Sequence, residues 1–486
     1  MTTVPHGPVL VALVVLLSAC ASFPKNPPLP AYEPTAGYRF ENLEQGENSD
    51  KLFVIVTFSG GGTRAAAIAY GVLEGLRDSS IQWQGRQKAL LDEVDIISSI
   101  SGGSFTAAYY GLRGRATFDE FREKFLYRPV QSELVEQLFS PVNLWKLAGS
   151  SYGRSDLAAE FYDREIFDGA TYADLIARHR RPFVVLNATD MSIGAQFPFI
   201  QDQFDLICSD LSGIPVGRAA AASSAFPGLL TPLTFENFAG TCGYEQASWV
   251  ALAIKDWKMR TNPRRTAGAV NRVSYTQEGE ARRDFLHLPD GGVADNIGLR
   301  GPLGALTSVD SPWSVLRLAN QRKIDRLVVI IVNAATEPAT RRDKTPEVPG
   351  VRDTLETVSS VPLDSYSFDT LELLRATVRE YNEPFRVRQG CLKRAAAARP
   401  PCIPEIPLPH HIDFYNVQVA FDNLRDPEQR AWFKNLPTTF ELPRETIDKL
   451  TDAGRCLLHE DPEFKRLVAD LGGRIQETGE VCAANR

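Results

Sequence analysis

The chain has no excess of basic charge. Its 53 Lys and Arg are outnumbered by 60 Asp and Glu, giving a formal net charge of -7 over 486 residues. That balance argues against a nucleic-acid binder, which needs a cationic face. No Cys-x-x-Cys spacing occurs among the seven cysteines, which argues against zinc and thiol-redox roles. No internal repeat is evident. The apolar run near the N-terminus, Val9 to Leu17, is too short to span a bilayer as a helix. No Lys follows the main glycine cluster as a phosphate-binding loop requires, and Ala65 stands where a dinucleotide fingerprint would need glycine.

What is present is ordinary globular composition, with 43% hydrophobic and 23% charged residues. Val9–Leu17 suits the apolar core of a signal peptide. It ends in Leu17-Ser18-Ala19-Cys20, which resembles a bacterial lipoprotein signal. There the Cys20 thiol takes a diacylglyceryl group and becomes the new N-terminus. Met1–Pro8 carries no Lys or Arg, so an ordinary secretory signal is the alternative. Pro24, Pro27, Pro28, Pro30 and Pro34 then read as a stiff, extended tether. With Cys20 set aside, six cysteines fall into sequence-adjacent couples: Cys208 and Cys242, Cys391 and Cys402, Cys456 and Cys482. In an oxidising compartment these are disulfide candidates, with six buried thiols as the alternative.

Lys51–Phe58 is short, apolar and β-branched, the pattern of a buried strand, and Thr63–Arg77 follows with helical spacing. A second strand is expected over Val94–Ile100 and a helix over Gly102–Leu112. Phe183–Asn187 and Leu327–Val332 are further buried strands, and Asp413–Phe421 is another candidate. The alternation predicts an α/β domain with a mainly parallel sheet. Residues 115–180 look helical and amphipathic, and Lys258–Arg283 reads as a basic loop.

Three constellations carry chemistry. Ser99-Ile100-Ser101-Gly102-Gly103 stands between a strand and a helix. A sharp turn there projects the Ser101 hydroxyl away from the sheet, and the helix N-terminus favours developing negative charge. The expected pattern is Gly-x-Ser-x-Gly, and Ser99 departs from it. Ser59-Gly60-Gly61-Gly62-Thr63-Arg64 directly follows the first strand; its N–H groups suit an oxyanion hole. Asp290-Gly291-Gly292 follows the apolar Phe285–Leu288. Asp-Gly is ordinarily a turn, and the alternative role for Asp290 is to accept the Ser101 proton.

In this order the three resemble the patatin-like phospholipase family. Asn187-Ala188-Thr189-Asp190 and the stretch Ala222–Pro232 resemble two of its supporting blocks. The resemblance implies a three-layer sandwich with a mainly parallel central sheet and helices on both faces. It implies a Ser101–Asp290 dyad without histidine, an oxyanion and substrate-binding loop of Gly60, Gly61, Gly62, Thr63 and Arg64, and a motif completed by Gly291 and Gly292. The substrate expected is a phospholipid or another fatty acyl ester, with no cofactor, metal, nucleic acid or protein partner. The chain divides into a signal at 1–20, a tether at 21–45, a catalytic domain at 46–335 and a C-terminal extension at 336–486, expected to pack on it. Anchored through Cys20, the protein would face a bacterial envelope membrane, the outer one for preference. Two alternatives stay open: a Ser-His-Asp carboxylesterase using His410 or His411, and a non-catalytic lipoprotein that retains the fold. His459 is expected on a surface helix and His287 stands close to Asp290.

Overall fold

The computed structural model describes residues 22–245, 282–307, 323–336, 350–397 and 410–476, with 268, 275 and 346 as isolated positions. The signal segment with Cys20, most of the basic loop, and Cys402 and Cys482 lie outside the described residues.

Strand β1 (Leu52–Phe58) is buried along its whole length. Its alternate residues serve two cores. Leu52, Val54, Val56 and Phe58 join the main core, while Phe53 and Ile55 join a second one with Leu327, Val329 and Leu374. A strand covered on both faces carries no polar alternation, so it appears in sequence as an unbroken apolar run. Helix α1 (Gly62–Asp78) leads to β2 (Val94–Ile100), which runs into α2 (Gly102–Arg113). Then come β3 (Phe183–Asp190), β4 (Ala195–Pro198), helix α3 (Val216–Ser223) and a two-stranded ribbon of β5 (Leu233–Glu236) and β6 (Phe285–Leu288). After these come β7 (Arg326–Asn333), α4 (Val351–Ala397), β8 (Asp413–Ala420) and α5 (Arg444–Glu460), followed by a short helix at Pro462–Asp470 and a two-residue strand at Arg474–Ile475. The six-stranded sheet has the order β8-β7-β1-β2-β3-β4. All neighbours are parallel except β3 and β4. The fold is therefore α/β, with a mainly parallel sheet flanked by helices.

Two features differ from the domain limits expected above. The boundary at 335 passes through one sheet, because β8 pairs with β7 in register along its length. Helix α5 also lies against α1: a Cβ at Gly71 would come within 2.0 Å of Thr451 O, and one at Gly454 within 2.3 Å of Ile68 O. The C-terminal extension is thus a layer of the main body. Likewise, residues 22–45 lie on the body instead of standing off from it. Phe23 packs edge-on against Phe285, Asn26 donates to Ser209 Oγ at 2.9 Å, and Arg39 pairs with buried Asp205 at 2.6 Å. Aromatic and polar anchors between the prolines hold the segment down.

Cys208 and Cys242 form a disulfide. Cys391 and Cys456 are also disulfide-bonded, and the expected partners Cys402 and Cys482 lie outside the described residues. Helix α4, 47 residues long, had no counterpart in the sequence reading.

Candidate active site

β1 and β2 are adjacent parallel strands, and each ends in a turn that opens a helix. In open α/β sheets this carboxyl edge is where ligands bind. At the end of β2, Ser101 adopts φ 49° and ψ -121°, a conformation that non-glycine residues rarely hold without support. The support is a set of buried hydroxyls. The Ser101 N–H donates to Ser223 Oγ at 2.9 Å, and Ser223 Oγ donates to Asn187 O at 2.7 Å. Ser104 Oγ lies 2.8 Å from Ser223 Oγ and 3.2 Å from Ser99 Oγ. Ser99, where the motif expects glycine, thus enters the network and donates to Val185 O at 3.3 Å. Gly102 is required by closeness: a Cβ there would lie 2.0 Å from Gly62 O, so the two turns touch. Gly103 packs against Phe58 and Ser59 O in the same way.

Asp290 comes to the same place from β6. Its N–H donates to Ala225 O at 3.0 Å, and its carbonyl accepts from Thr189 Oγ1 at 2.8 Å. The carboxylate accepts from Gly292 N at 2.7 Å, and the Ser101 side chain is close enough to lower its affinity for protons. Gly291 has no room for a side chain, since a Cβ would lie 2.1 Å from Asn187 O. Asp290 is only 4% exposed and Ser101 8%. Burial pushes the Asp290 carboxyl up to about 7, against the pull of the Gly292 amide and the Ser101 hydroxyl.

The glycine loop stands beside Ser101: a Cβ on Gly60 would be 3.3 Å from Ser101 Cβ. Its five residues have different occupations. The Gly60 N–H is taken by Asn296 O at 3.0 Å, and the Thr63 N–H by Thr439 O at 2.8 Å. Among the described residues the N–H groups of Gly61, Gly62 and Gly102 have no acceptor. Arg64, expected among the substrate-binding residues, is 2% exposed and is held by protein groups on the far side of the loop.

The structure separates the histidines from this cluster. His410 pairs with Asp325 at 2.6 Å and His411 faces Asp413 at 3.8 Å. Both precede β8, at the amino edge of the sheet, and Ser101 is at the carboxyl edge. A strand length, roughly 23 Å at about 3.3 Å per residue, lies between. His287 faces Thr234 Oγ1 at 3.1 Å. His459 is buried, 3.0 Å from Gly75 O, and not on the surface as expected; it lies on the face of α5 that packs against α1. No described histidine hydrogen-bonds Ser101 or Asp290.

Beside β6 a cleft of about 730 Å³ is lined by residues that include Leu147, Tyr152, Arg154, Asp156, Met191 and His287. Among the described residues, no three His, Cys, Asp or Glu side chains converge as a metal site. No described helix is long and apolar enough to cross a membrane.

The family model for patatin-like phospholipases matches residues 56–303, about half of the chain and all three constellations. The chain belongs to the patatin-like phospholipase family. Membership supports a lipid hydrolase in broad terms. No curated protein matches the chain. Solved structures similar to it include human GIVD cytosolic phospholipase A2, at 16% identity and TM-score 0.33, covering 63% of this chain and 50% of that one. The same human enzyme with methyl gamma-linolenyl fluorophosphonate and terbium chloride gives 12%, 0.39, 87% and 59%. VipD from Legionella pneumophila gives 12%, 0.25, 87% and 71%. The chain spans 50–59% of these human chains, and at such scores the likenesses carry no argument about activity.

Within this patatin-like site, sequence reading missed Ser223, Asn187, Asn296 and Thr439. Ser223 and Asn187 were within view as the two supporting blocks, but nothing in them names a partner. Thr439 has no sequence signal, because it reaches the loop from 376 residues away.

Proposed function

We propose that the protein is a serine acyl hydrolase acting on fatty acyl esters such as phospholipids or lysophospholipids. The observation that carries this reading is Ser101 on a strained strand-to-helix turn with the buried Asp290 carboxyl beside it. Asp290 takes the Ser101 proton as Oγ attacks the ester carbonyl. In water a carboxylate is a weak base for a hydroxyl. A desolvated carboxyl with its affinity for protons raised to about 7 is a better one. The oxyanion forms against the unoccupied N–H groups of Gly61, Gly62 and Gly102, donors already in place before the ester arrives. The C–O bond to the leaving alcohol breaks, the alcohol takes the proton from Asp290, and an acyl-Ser101 ester remains. Water then repeats the cycle: Asp290 accepts its proton, the acid leaves, and Ser101 regains its hydrogen.

Anchoring through Cys20 belongs to the same reading. It rests on the sequence of residues 9–20 and would hold the enzyme on an envelope membrane next to its substrate.

The test is a panel of phospholipid, lysophospholipid and p-nitrophenyl esters, assayed with wild type and Ser101→Ala. Wild type is expected to release fatty acid, and Ser101→Ala to lose at least about 10⁴-fold in kcat with an unchanged melting temperature. A fluorophosphonate probe should label Ser101 in wild type and nothing in the variant. Equal turnover in both proteins would end this reading.

A further inference from the structure

A loop of three glycines has no side chains with which to hold a shape. Gly61 and Gly62 stand at φ 135° and 61°, and their N–H directions depend on what surrounds them. Here the surroundings come largely from the C-terminal extension. The Thr63 N–H donates to Thr439 O at 2.8 Å. Gly62 lies against the same carbonyl, where a Cβ would be 2.3 Å away. Arg64 spans the outside of the loop. Its Nε donates to Ala334 O at 3.0 Å, Nη1 to Leu436 O at 2.6 Å and Nη2 to Thr438 Oγ1 at 3.2 Å. Nη2 also sits 3.0 Å from where Gly61 would carry a Cβ. Thr439 is tied in turn to the helix Val130–Leu138, donating through Oγ1 to Gln131 Oε1 at 2.7 Å.

We propose that Leu436–Thr439 is a strap that sets the oxyanion loop, with Arg64 and Thr438 as positioning residues. They touch neither ester nor nucleophile. They act on turnover by fixing where the Gly61 and Gly62 N–H groups point. This inference rests on the acyl-hydrolase reading above. A donor loop displaced by a fraction of an ångström still binds the ground-state ester through its acyl chain but loses the developing oxyanion. The signature is therefore a fall in kcat with little change in KM.

The experiment compares full-length wild type, Arg64→Gln, Arg64→Lys and Thr438→Val. It measures steady-state hydrolysis of a p-nitrophenyl acyl ester, melting temperature, and hydrogen–deuterium exchange of a peptide covering residues 59–65. Arg64→Gln is expected to lower kcat about 100-fold, the scale of losing one oxyanion donor, with KM within about threefold. Arg64→Lys should recover less than a tenth of the loss, because one ammonium cannot span three separated acceptors. Thr438→Val, which removes only one acceptor, should lower kcat about three- to tenfold, the worth of one hydrogen bond. Exchange at 59–65 should quicken in the same order. Wild-type kcat in both Arg64→Gln and Thr438→Val would overturn the strap. So would a loss confined to KM, which would make Arg64 a substrate contact. If Arg64→Gln does not fold, Thr438→Val decides alone. An inactive wild type would sink the acyl-hydrolase reading, whereas an active one with indifferent variants would sink the strap only.

Discussion

Two strand–turn–helix corners lie side by side at the carboxyl edge of the sheet, and they are held by opposite means. The Ser101 corner is held from within. Ser99, Ser104, Asn187 and Ser223 form a compact set of buried hydrogen bonds around its backbone, all contributed by the first half of the chain. The Gly60–Gly62 corner has no side chains of its own and is held from outside, by Asn296, Ala334 and the strap at 436–439. Ser101, the proposed nucleophile, stands in a strained turn, and small hydroxyls packed around it supply several short bonds. A loop in the proposed oxyanion role must leave N–H groups unoccupied, and here its neighbours grip what lies next to those groups: the Gly60 and Thr63 amides and the Arg64 side chain. The difference teaches that one half of a site can be locally self-sufficient while the other depends on the end of the chain.

The sharpest way to test the contrast is Gly62→Ala. The added methyl would sit 2.3 Å from Thr439 O, at a residue with φ 61°. Loop and strap cannot both stay in place, and kcat is expected to fall by about 10²–10³. Steady-state hydrolysis checks it; near-normal turnover would mean that the loop tolerates displacement and the contrast is wrong.

Next in size is a pH effect on the Ser101 side. The proposed base must be ionised, and burial holds the Asp290 carboxyl near 7. Log kcat/KM should therefore climb with pH and level off near 7, with about 100-fold less activity at pH 5. Stability follows the reverse sense. The folded state keeps a proton that the unfolded chain releases near 3.8, so this group's contribution to stability falls as pH rises from about 4 to 7. Asp290→Asn should be inactive, and its melting temperature relative to wild type should increase between pH 5 and pH 8. A difference that shrinks over that range would show that the carboxylate is not held against its desolvation.

The smallest effect expected is from Ser223→Ala. It leaves the Ser101 N–H and Asn187 O without their present partner. Unsatisfied buried groups of this kind cost about 1–3 kcal/mol, read by chemical denaturation, with kcat down about tenfold. Because the network has other members, the loop side should be untouched. Exchange at residues 59–65 that quickened in Ser223→Ala would join the two corners into one unit and erase the distinction.

Much of the fold was legible in the chain. Lys51–Phe58, Val94–Ile100 and Leu327–Val332 were expected as strands within a residue of where they lie; the first and last are almost wholly apolar because both their faces are covered, and Val94–Ile100 keeps enough apolar residues around Asp95, Ser98 and Ser99 to read as a strand. Helix α4 was not legible. Most of its described residues are exposed or only half-buried, and such a surface sets no strong apolar period. The contacts of residues 22–45 were not legible for a related reason: prolines reveal stiffness, while contact with a distant surface such as Ser209 or Asp205 leaves no periodic mark.

By itself the sequence determined which residue types stand at each turn. Ser101 follows an apolar strand, three glycines follow another, and Asp290 begins a tight turn. These are local properties, set by propensity and by the few backbone shapes that small residues permit. Only the tertiary structure decided who meets whom. It brought Asp290 to Ser101, carried His410 and His411 to the opposite edge of the sheet, and laid Thr439 against Gly62. Pairings across hundreds of residues depend on how the strands are ordered in the sheet and how the helices pack on it. Those are properties of the assembled core, which no short stretch of the chain encodes alone.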